Sequence, residues 1–301
     1  MTQTRTAFIA IVGCPNVGKS SILNRLLGQK VAVVSPKPQT TRTKIMGVLT
    51  EDEVQLVFTD TPGFHRPRTK LGEKMIKAVS DSISGVDACL FVVEPSGELR
   101  DAEKDLLKKF KDEKMPVILA INKIDSVKQK ELLIERMAQF SALYDFEAIV
   151  PCSALKGDGF GDLKDELFKQ AQPSPHFFPD DTLTDQPERV LCAEIVREKA
   201  LLHLRDEVPH GVGVEILDMK KVNDNLMEIH ADIYCERDSH KAIIIGKRGA
   251  MLSLIGREAR VDMEALLGMR VNLQLWVKVR PDWRNSAADL KTLGYDSKEM
   301  R

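Results

Sequence analysis

The chain has few cysteines, no long apolar run and almost no charge imbalance, and each of these shortages excludes something. Five cysteines, at positions 14, 89, 152, 192 and 235, are odd in number and lack paired metal-ligand spacing. That excludes a disulfide framework and argues for reduced thiols in a cytoplasm. No apolar run approaches the length that crosses a bilayer, and the apolar part of MTQTRTAFIAIVG is too short for a signal peptide. A cytoplasmic chain is therefore expected. The formal net charge of -1 gives no global sign of nucleic-acid binding, although a neutral total can hide a basic face. No internal repeat is present, and no His, Glu or Cys of the first half forms a nucleophile–base pair. His65 reads as a polar loop residue rather than a base. What is there, 43% hydrophobic and 30% charged residues over 301 positions, suits about two folded domains with a substantial core.

Through residue 172, apolar runs alternate with helical patterns. The runs are Phe8–Val12, Val54–Phe58, Ala88–Val93, Val117–Ile121 and Ala148–Val150. Continuous apolar runs suit strands covered on both faces. The stretch KIMGVLTEDEVQLVF reads as a hairpin, so one strand is expected to be antiparallel. Helical patterns fall at Lys19–Leu27, closed by Gly28, and at Gly72–Ser84, Asp101–Lys111 and Leu132–Leu143. Residues 1–172 are thus predicted to form an α/β domain with a doubly wound, mostly parallel sheet. Residues 173–189, with Pro173, Pro175, Pro179 and Pro187 and no periodicity, read as a linker. Residues 190–285 follow the order α-β-β-α-α-β, a smaller α+β domain, and 286–301 form a tail.

The stretch GCPNVGKSS joins the first strand to the first helix. Backbone N–H groups of such a loop can turn inward around phosphate oxygens, which assigns Gly13, Asn16, Val17, Gly18, Lys19, Ser20 and Ser21 to the cradle. Lys19 would reach the β- and γ-phosphates and the Ser20 hydroxyl can bind Mg²⁺. A chance match to this pattern arises in about one chain per hundred. INKID supplies the base: Asp125 can accept from the N1–H and exocyclic amine of guanine, Asn122 can meet N7, and the Lys123 stem can cover the ring. Adenine offers neither donor, and a site built to pair one rejects its absence by about 10⁴. In CSALKG, Ser153, the N–H of Ala154 and Leu155 would close around the guanine oxygen. DTPG places Asp60 for Mg²⁺, through water, and the Gly63 N–H for the γ-phosphate; its position between the other motifs carries that reading. SPKPQTTRTK can add a threonine to the Mg²⁺, Thr41 or its neighbour Thr40. GTP and GDP are the expected ligands.

In IIIGKRGAMLSLIG, Gly246, Lys247, Arg248 and Gly249 stand between an apolar approach and a helix. G-x-x-G is common by chance, but this setting is that of a KH module, whose loop clamps the backbone of single-stranded nucleic acid. Lys247 and Arg248 would face phosphate, with Lys241, Arg257 and Arg260 nearby. The strand VNLQLWVKVRPDWR hides valines and leucines on one face. Its other face can show Gln274, Trp276, Lys278 and Arg280 for stacking and phosphate contact. The competing reading packs Trp276 beneath the first helix of this domain.

The ordered set GCPNVGKS, QTTR, DTPG, NKID and SAL resembles the Era family, within the TrmE-Era-EngA-YihA-Septin-like superfamily of P-loop GTPases. The GKRG stretch resembles the type II KH domain that ends Era proteins, so the likeness spans the whole chain. It implies a Mg²⁺-dependent GTPase that binds the 3′ region of 16S rRNA through its KH domain and acts in biogenesis of the 30S ribosomal subunit. It also implies peripheral contact at the inner face of the cell membrane; a monomer is expected. Ras-like proteins carry a water-orienting glutamine directly after D-x-x-G. Here Phe64 stands there, a replacement the family shares, so catalysis would rest on Mg²⁺, Lys19 and backbone dipoles. Asn16 resembles the asparagine that helps related GTPases bind K⁺, a charge that could act where an arginine finger otherwise does. Cys14 stands where the family commonly has a basic residue, and Ser21 where it has threonine. GTP would order residues 33–43 and 60–75 and so alter how the KH domain meets RNA. Two other readings are an RNA-binding scaffold with a structural GTP site and a membrane-associated signalling GTPase. Intact Lys19, Ser20, Asp60 and Asp125 weigh against the first, and the basic G-x-x-G module against the second.

Overall fold

The computed structural model describes residues 3–295, apart from 36, 38, 39, 43, 65–68 and 207. His65 therefore lies outside the described residues. The chain divides into two compact units, residues 1–34, 41–67 and 75–185, and residues 35–40, 68–74 and 186–301.

In chain order the first elements are β1 (Arg5–Val12), α1 (Lys19–Leu27), β2 (Ile45–Glu51), β3 (Val54–Asp60), α2 (Lys70–Ile83), β4 (Ala88–Val93), α3 (Asp101–Glu113), β5 (Val117–Ile121), α4 (Lys130–Ser141), β6 (Ala148–Pro151), α5 (Phe160–Lys169) and β7 (Gln172–Pro173). The sheet order is β2-β3-β1-β4-β5-β6, parallel except for the β2–β3 hairpin. Strands β3, β4 and β5 are buried along their whole length, which is why β4 and β5 run apolar without alternation, while β3 carries the buried polar residues Gln55, Thr59 and Asp60. One face packs Ile9, Ile11, Leu23, Leu56 and Leu90; the other packs Val12, Val79, Phe91, Phe110 and Phe140. Because the strands are parallel, β1, β3 and β5 all deliver their C-terminal loops to one sheet edge, where doubly wound folds bind ligands. Helix α5 has no counterpart in the sequence reading. It buries only Leu163 and Leu167, too short an apolar stripe to declare a helix.

Residues 173–189 are not a free linker. Strand β4 joins β1 only from Ile9 onward, and β7 fills the edge left open beside Arg5 and Thr6. Gln55, fully buried, then clasps the next turn: its Nε2 donates to the Phe178 carbonyl (2.9 Å), and its Oε1 accepts from the N–H groups of Phe177 (2.8 Å) and Phe178 (3.0 Å). Farther on, the Val48 N–H donates to the Leu183 carbonyl and the Thr184 hydroxyl to the Met46 carbonyl. This segment lacks periodicity because it satisfies its backbone singly against existing sheet edges. The first unit accordingly runs to 185, beyond the expected boundary at 172.

The second unit holds α6 (Glu188–His203), β8 (Gly213–Asn223), β9 (Leu226–Cys235), α7 (Asp238–Ile245), α8 (Ala250–Leu267), β10 (Arg270–Val279) and α9 (Ala287–Thr292). Its sheet runs β10-β9-β8, with β9 parallel to β10 and antiparallel to β8. Val196, Ile229, Ile233, Ile255, Met263 and Val277 form its core. The expected tail at 286–301 is in part structural: Leu290 is buried, and Tyr295 stacks on the fully buried Trp283, ring centroids 6.1 Å apart.

Candidate nucleotide site and nucleic-acid interface

The loop between β1 and α1 folds back over the N-terminus of α1. Gly18 lies at φ 98°, and a Cβ there would stand 2.2 Å from Asn122 Nδ2, so only glycine fits. Asn16 also holds a left-handed backbone, φ 65°. Lys19 is 6% exposed, and its Nζ lies 3.1 Å from the Gly13 carbonyl and 3.0 Å from that of Cys14. Burial pushes this ammonium down from its ordinary pKa, against an opposing pull from Asp60. An anion seated in the loop would favour its charged form. Val17 is fully buried, so only its backbone can serve a phosphate, and Ser21 is half-buried on the first turn of α1.

Three hard oxygen donors converge beside Lys19. The Ser20 hydroxyl donates to Asp60 Oδ2 at 2.6 Å, lies 2.8 Å from Thr41 Oγ1, and Thr41 Oγ1 is itself 3.4 Å from Asp60 Oδ2. Asp60 is fully buried, and its Oδ1 has no hydrogen-bond partner among the described residues. Burial pushes its carboxyl up, partly offset by Lys19, Ser20 and Thr41. A buried carboxylate with one orphaned oxygen between two hydroxyls suits a small hard cation such as Mg²⁺. Thr40 is excluded from that set, because its hydroxyl donates to the Lys37 carbonyl at 2.6 Å. Gly63 lies against Pro15, and the next N–H, of Phe64, donates to the Gly13 carbonyl at 3.1 Å. The Phe64 side chain packs on the apolar cluster containing Val12 and Phe91.

The base end is tied to the phosphate end through Asn122, 2% exposed. Its Nδ2 donates to the Val17 carbonyl (2.8 Å) and its Oδ1 accepts from the Ala154 N–H (3.0 Å). One Nδ2 hydrogen remains for a ring nitrogen. The Ala154 amide, expected at the guanine oxygen, is spent here within the protein. Lys123, at φ 67°, sends its Nζ to the Asn16 carbonyl (2.5 Å) and to Glu94 Oε1 (2.8 Å). Asp125 is solvent-exposed in a short turn, Ile124–Ser126, and accepts from the buried Ser153 hydroxyl at 2.5 Å. That bond aims the carboxylate and leaves oxygen lone pairs for a ligand. Leu155, 74% exposed, stands at the rim. Glu94, Arg100 and Arg136 were missed by sequence reasoning: they fall in VEPSGELR and in α4, where no local pattern marks them.

In the second unit, Gly246 (φ 73°) and Gly249 (φ 77°) frame Lys247 and Arg248, both exposed, at the N-terminus of α8. A Cβ on Gly246 would meet Met251 Cβ at 2.7 Å. Beside this turn lies a groove of about 570 Å³ lined by Gly249, Ser253, Gly256, Arg257, Arg260 and Asn272, among others. Small residues floor it, and two guanidinium groups offer phosphate contacts. Lys241 is half-buried on α7, little more than a turn before Gly246. The structure does not bring Trp276, Lys278 and Arg280 to this groove. Leu273 and Leu275 of β10 pack against the core beneath the helices, so those three, of opposite parity, point to the far side of the sheet. There Lys278 pairs with the buried Asp232 (2.6 Å), and Arg280 lies 4.0 Å over the Tyr234 ring and pairs with Asp289. Trp276 is 44% exposed with its edge on His230, so it does not pack beneath a helix.

Residues 8–123 match the 50S ribosome-binding GTPase family and residues 207–284 the KH domain family. The chain is 50% identical to GTPase Era of Ruminiclostridium cellulolyticum over 97% of both proteins. It is 48% identical to GTPase Era of Clostridioides difficile, over 98% of this chain and 99% of that one. Among solved structures it is similar to Era in complex with MgGDPNP and nucleotides 1506–1542 of 16S ribosomal RNA, with TM-score 0.91 and 40% identity over 97% and 99% of the two chains. A variant of Aquifex aeolicus Era bound to GDP and aluminium fluoride gives TM-score 0.93 and 39% identity over the same shares.

Proposed function

This chain belongs to the GTPase Era family, and from that premise we propose that it couples GTP hydrolysis to its hold on the 3′ region of 16S rRNA during assembly of the 30S subunit. One observation carries the reading: the candidate residues for phosphate, Mg²⁺ and guanine converge in one unit, and a basic G-x-x-G groove lies in the other unit of the same chain. The relative solved with MgGDPNP carried nucleotides of 16S rRNA at the same time. The large-subunit wording of the family matched at residues 8–123 concerns the first unit alone.

The enzyme is a GTPase with Mg²⁺ as cofactor, and Ser20, Thr41 and Asp60 are the residues to hold the ion. When bound, the ion would neutralise β- and γ-phosphate charge. Lys19 places a second positive charge on the same oxygens, and loop N–H groups supply fixed dipoles. Phe64 cannot orient water through its apolar side chain, so slow intrinsic turnover is the expected outcome of a single-turnover assay without RNA. Asn16, left-handed and exposed at the loop's rim, is the residue we assign to a K⁺ that would speed hydrolysis; equal rates in K⁺ and Na⁺ buffers would remove that role. The chain is read as cytosolic, which five free, buried thiols support, and as a monomer, which sedimentation of the purified protein tests. No helix among the described residues is long and apolar enough to cross a membrane, and peripheral contact with the inner face of the cell membrane is tested by vesicle flotation. The RNA reading is tested by measuring affinity for a 16S 3′-end fragment with a non-hydrolysable GTP analogue and with GDP. Identical affinities would refute the coupling, and absence of binding in both states would refute the RNA target.

A further inference from the structure

Lysine 123 has to lie flat across a base, yet a lysine side chain is the most mobile of platforms. Its flexible four-carbon stem gives up rotamer freedom when it is held in one place. In this protein the ammonium is held at two points, the Asn16 carbonyl at 2.5 Å and Glu94 Oε1 at 2.8 Å. Glu94 directly follows β4, and the Asn122 N–H donates to the Val93 carbonyl just before it, so carboxylate and base loop share one anchor.

Glu94 is itself braced. Its other carboxylate oxygen pairs with Arg100. Arg136, 4% exposed, donates from Nε to the Glu94 carbonyl (3.2 Å) and from Nη1 to the Gly97 carbonyl (3.0 Å). The Arg136 guanidinium also faces Glu103, 1% exposed, whose Oε2 accepts the Arg100 N–H at 2.9 Å. Loop 94–100 is therefore pinned from beneath by a buried ion pair. Burial pushes the Glu94 carboxyl up, but Lys123 and then Arg100 outweigh it, so the group stays ionised.

We propose that Glu94 is a positioning residue for guanine-nucleotide binding: it fixes Lys123 across the base and against the Asn16 carbonyl, and so slows nucleotide release. The proposal rests on the guanine reading of this site. Glu94 would touch neither base nor phosphate and acts through Lys123. Because both partners are partly exposed, 39% and 27% on their side chains, the effect is moderate rather than decisive.

The test is release of fluorescent GDP from the full-length Mg²⁺-loaded protein, for wild type, Glu94→Gln, Lys123→Ala and the double variant. Glu94→Gln is expected to speed release about fivefold, with KM for GTP rising more than kcat falls. In the Lys123→Ala background the same change should have under about a twofold effect, since the group it acts through is gone. Unchanged release from Glu94→Gln, or an equal acceleration in both backgrounds, overturns the proposal. Melting of the nucleotide-free proteins separates this from a general loosening: a drop for Glu94→Gln matching its loss of nucleotide also overturns it. Failure of the wild type to hold GDP would instead defeat the guanine reading.

Discussion

Replacing Asn122 should separate the two ways this residue acts, as a ligand contact and as a buried tie. Its side chain is 2% exposed and its orientation is dictated: the Val17 carbonyl requires a donor and the Ala154 N–H requires an acceptor. Asn122→Ala leaves the buried Val17 carbonyl and the half-buried Ala154 N–H unpaired; at about 1–3 kcal/mol for the first and less for the second, the first unit should lose roughly 2–4 kcal/mol. That is a large share of the ~5–15 kcal/mol typical of a folded domain. Asn122→Asp keeps the acceptor but sets a second oxygen against the Val17 carbonyl, where the lost bond was 2.8 Å long. Two acceptors cannot bond, and an ionised carboxylate there lacks a partner, so Asp should be at least as damaging as Ala. Urea unfolding of nucleotide-free protein provides the assay. Both tryptophans, Trp276 and Trp283, lie in the second unit. The circular-dichroism transition of the first unit should therefore shift while the tryptophan-fluorescence transition holds. A loss under about 0.5 kcal/mol for Asn122→Ala, or an Asp variant more stable than Ala, would refute the tie.

Other consequences are direct. Asp125→Asn turns an acceptor into a donor, so GTP affinity should fall by about 10³–10⁴ while xanthine nucleotides gain, read by competition calorimetry. Retained guanine preference would mean that Asp125 does not face the base. Burial pushes Cys89, Cys152 and Cys192 up to about 12, so these thiols stay protonated far above neutral pH. Thiol reagents at pH 8 should label them only after denaturation, and fast native labelling would contradict the packing. Reversing Lys247 and Arg248 to glutamate should weaken RNA binding uniformly across sequences and lower its salt slope by about 0.7 per lost phosphate contact. An unchanged slope would place the phosphates elsewhere.

Much of the nucleotide site was legible because its chemistry needs neighbours in sequence. A phosphate cradle uses consecutive amides, so residues 13–21 declare themselves, and the same holds for Asn122 through Asp125. Strands β4 and β5 and helix α1 stood at their observed limits, since full burial leaves unbroken apolar runs and Gly28 closes the helix. The brace formed by Glu94, Arg100 and Arg136 was invisible because its members lie up to 42 positions apart and meet only once α4 brings Arg136 onto the 94–100 loop and Glu103 of α3. The role of residues 172–185 was missed for a similar reason: a proline-rich run has no period, and its partners, Gln55, Val48 and Met46, belong to other strands.

Local order along the chain determined which elements form, that they build a doubly wound domain and a smaller α+β one, and that phosphate and guanine chemistry sit on the first. These depend on periodicity and on contiguous donors, which a sequence carries openly. Which face of β10 meets the groove, and so whether Trp276, Lys278 and Arg280 share a surface with Lys247, was decided only by which side α8 covers. Alternation tells that a strand has two faces; only packing chooses between them.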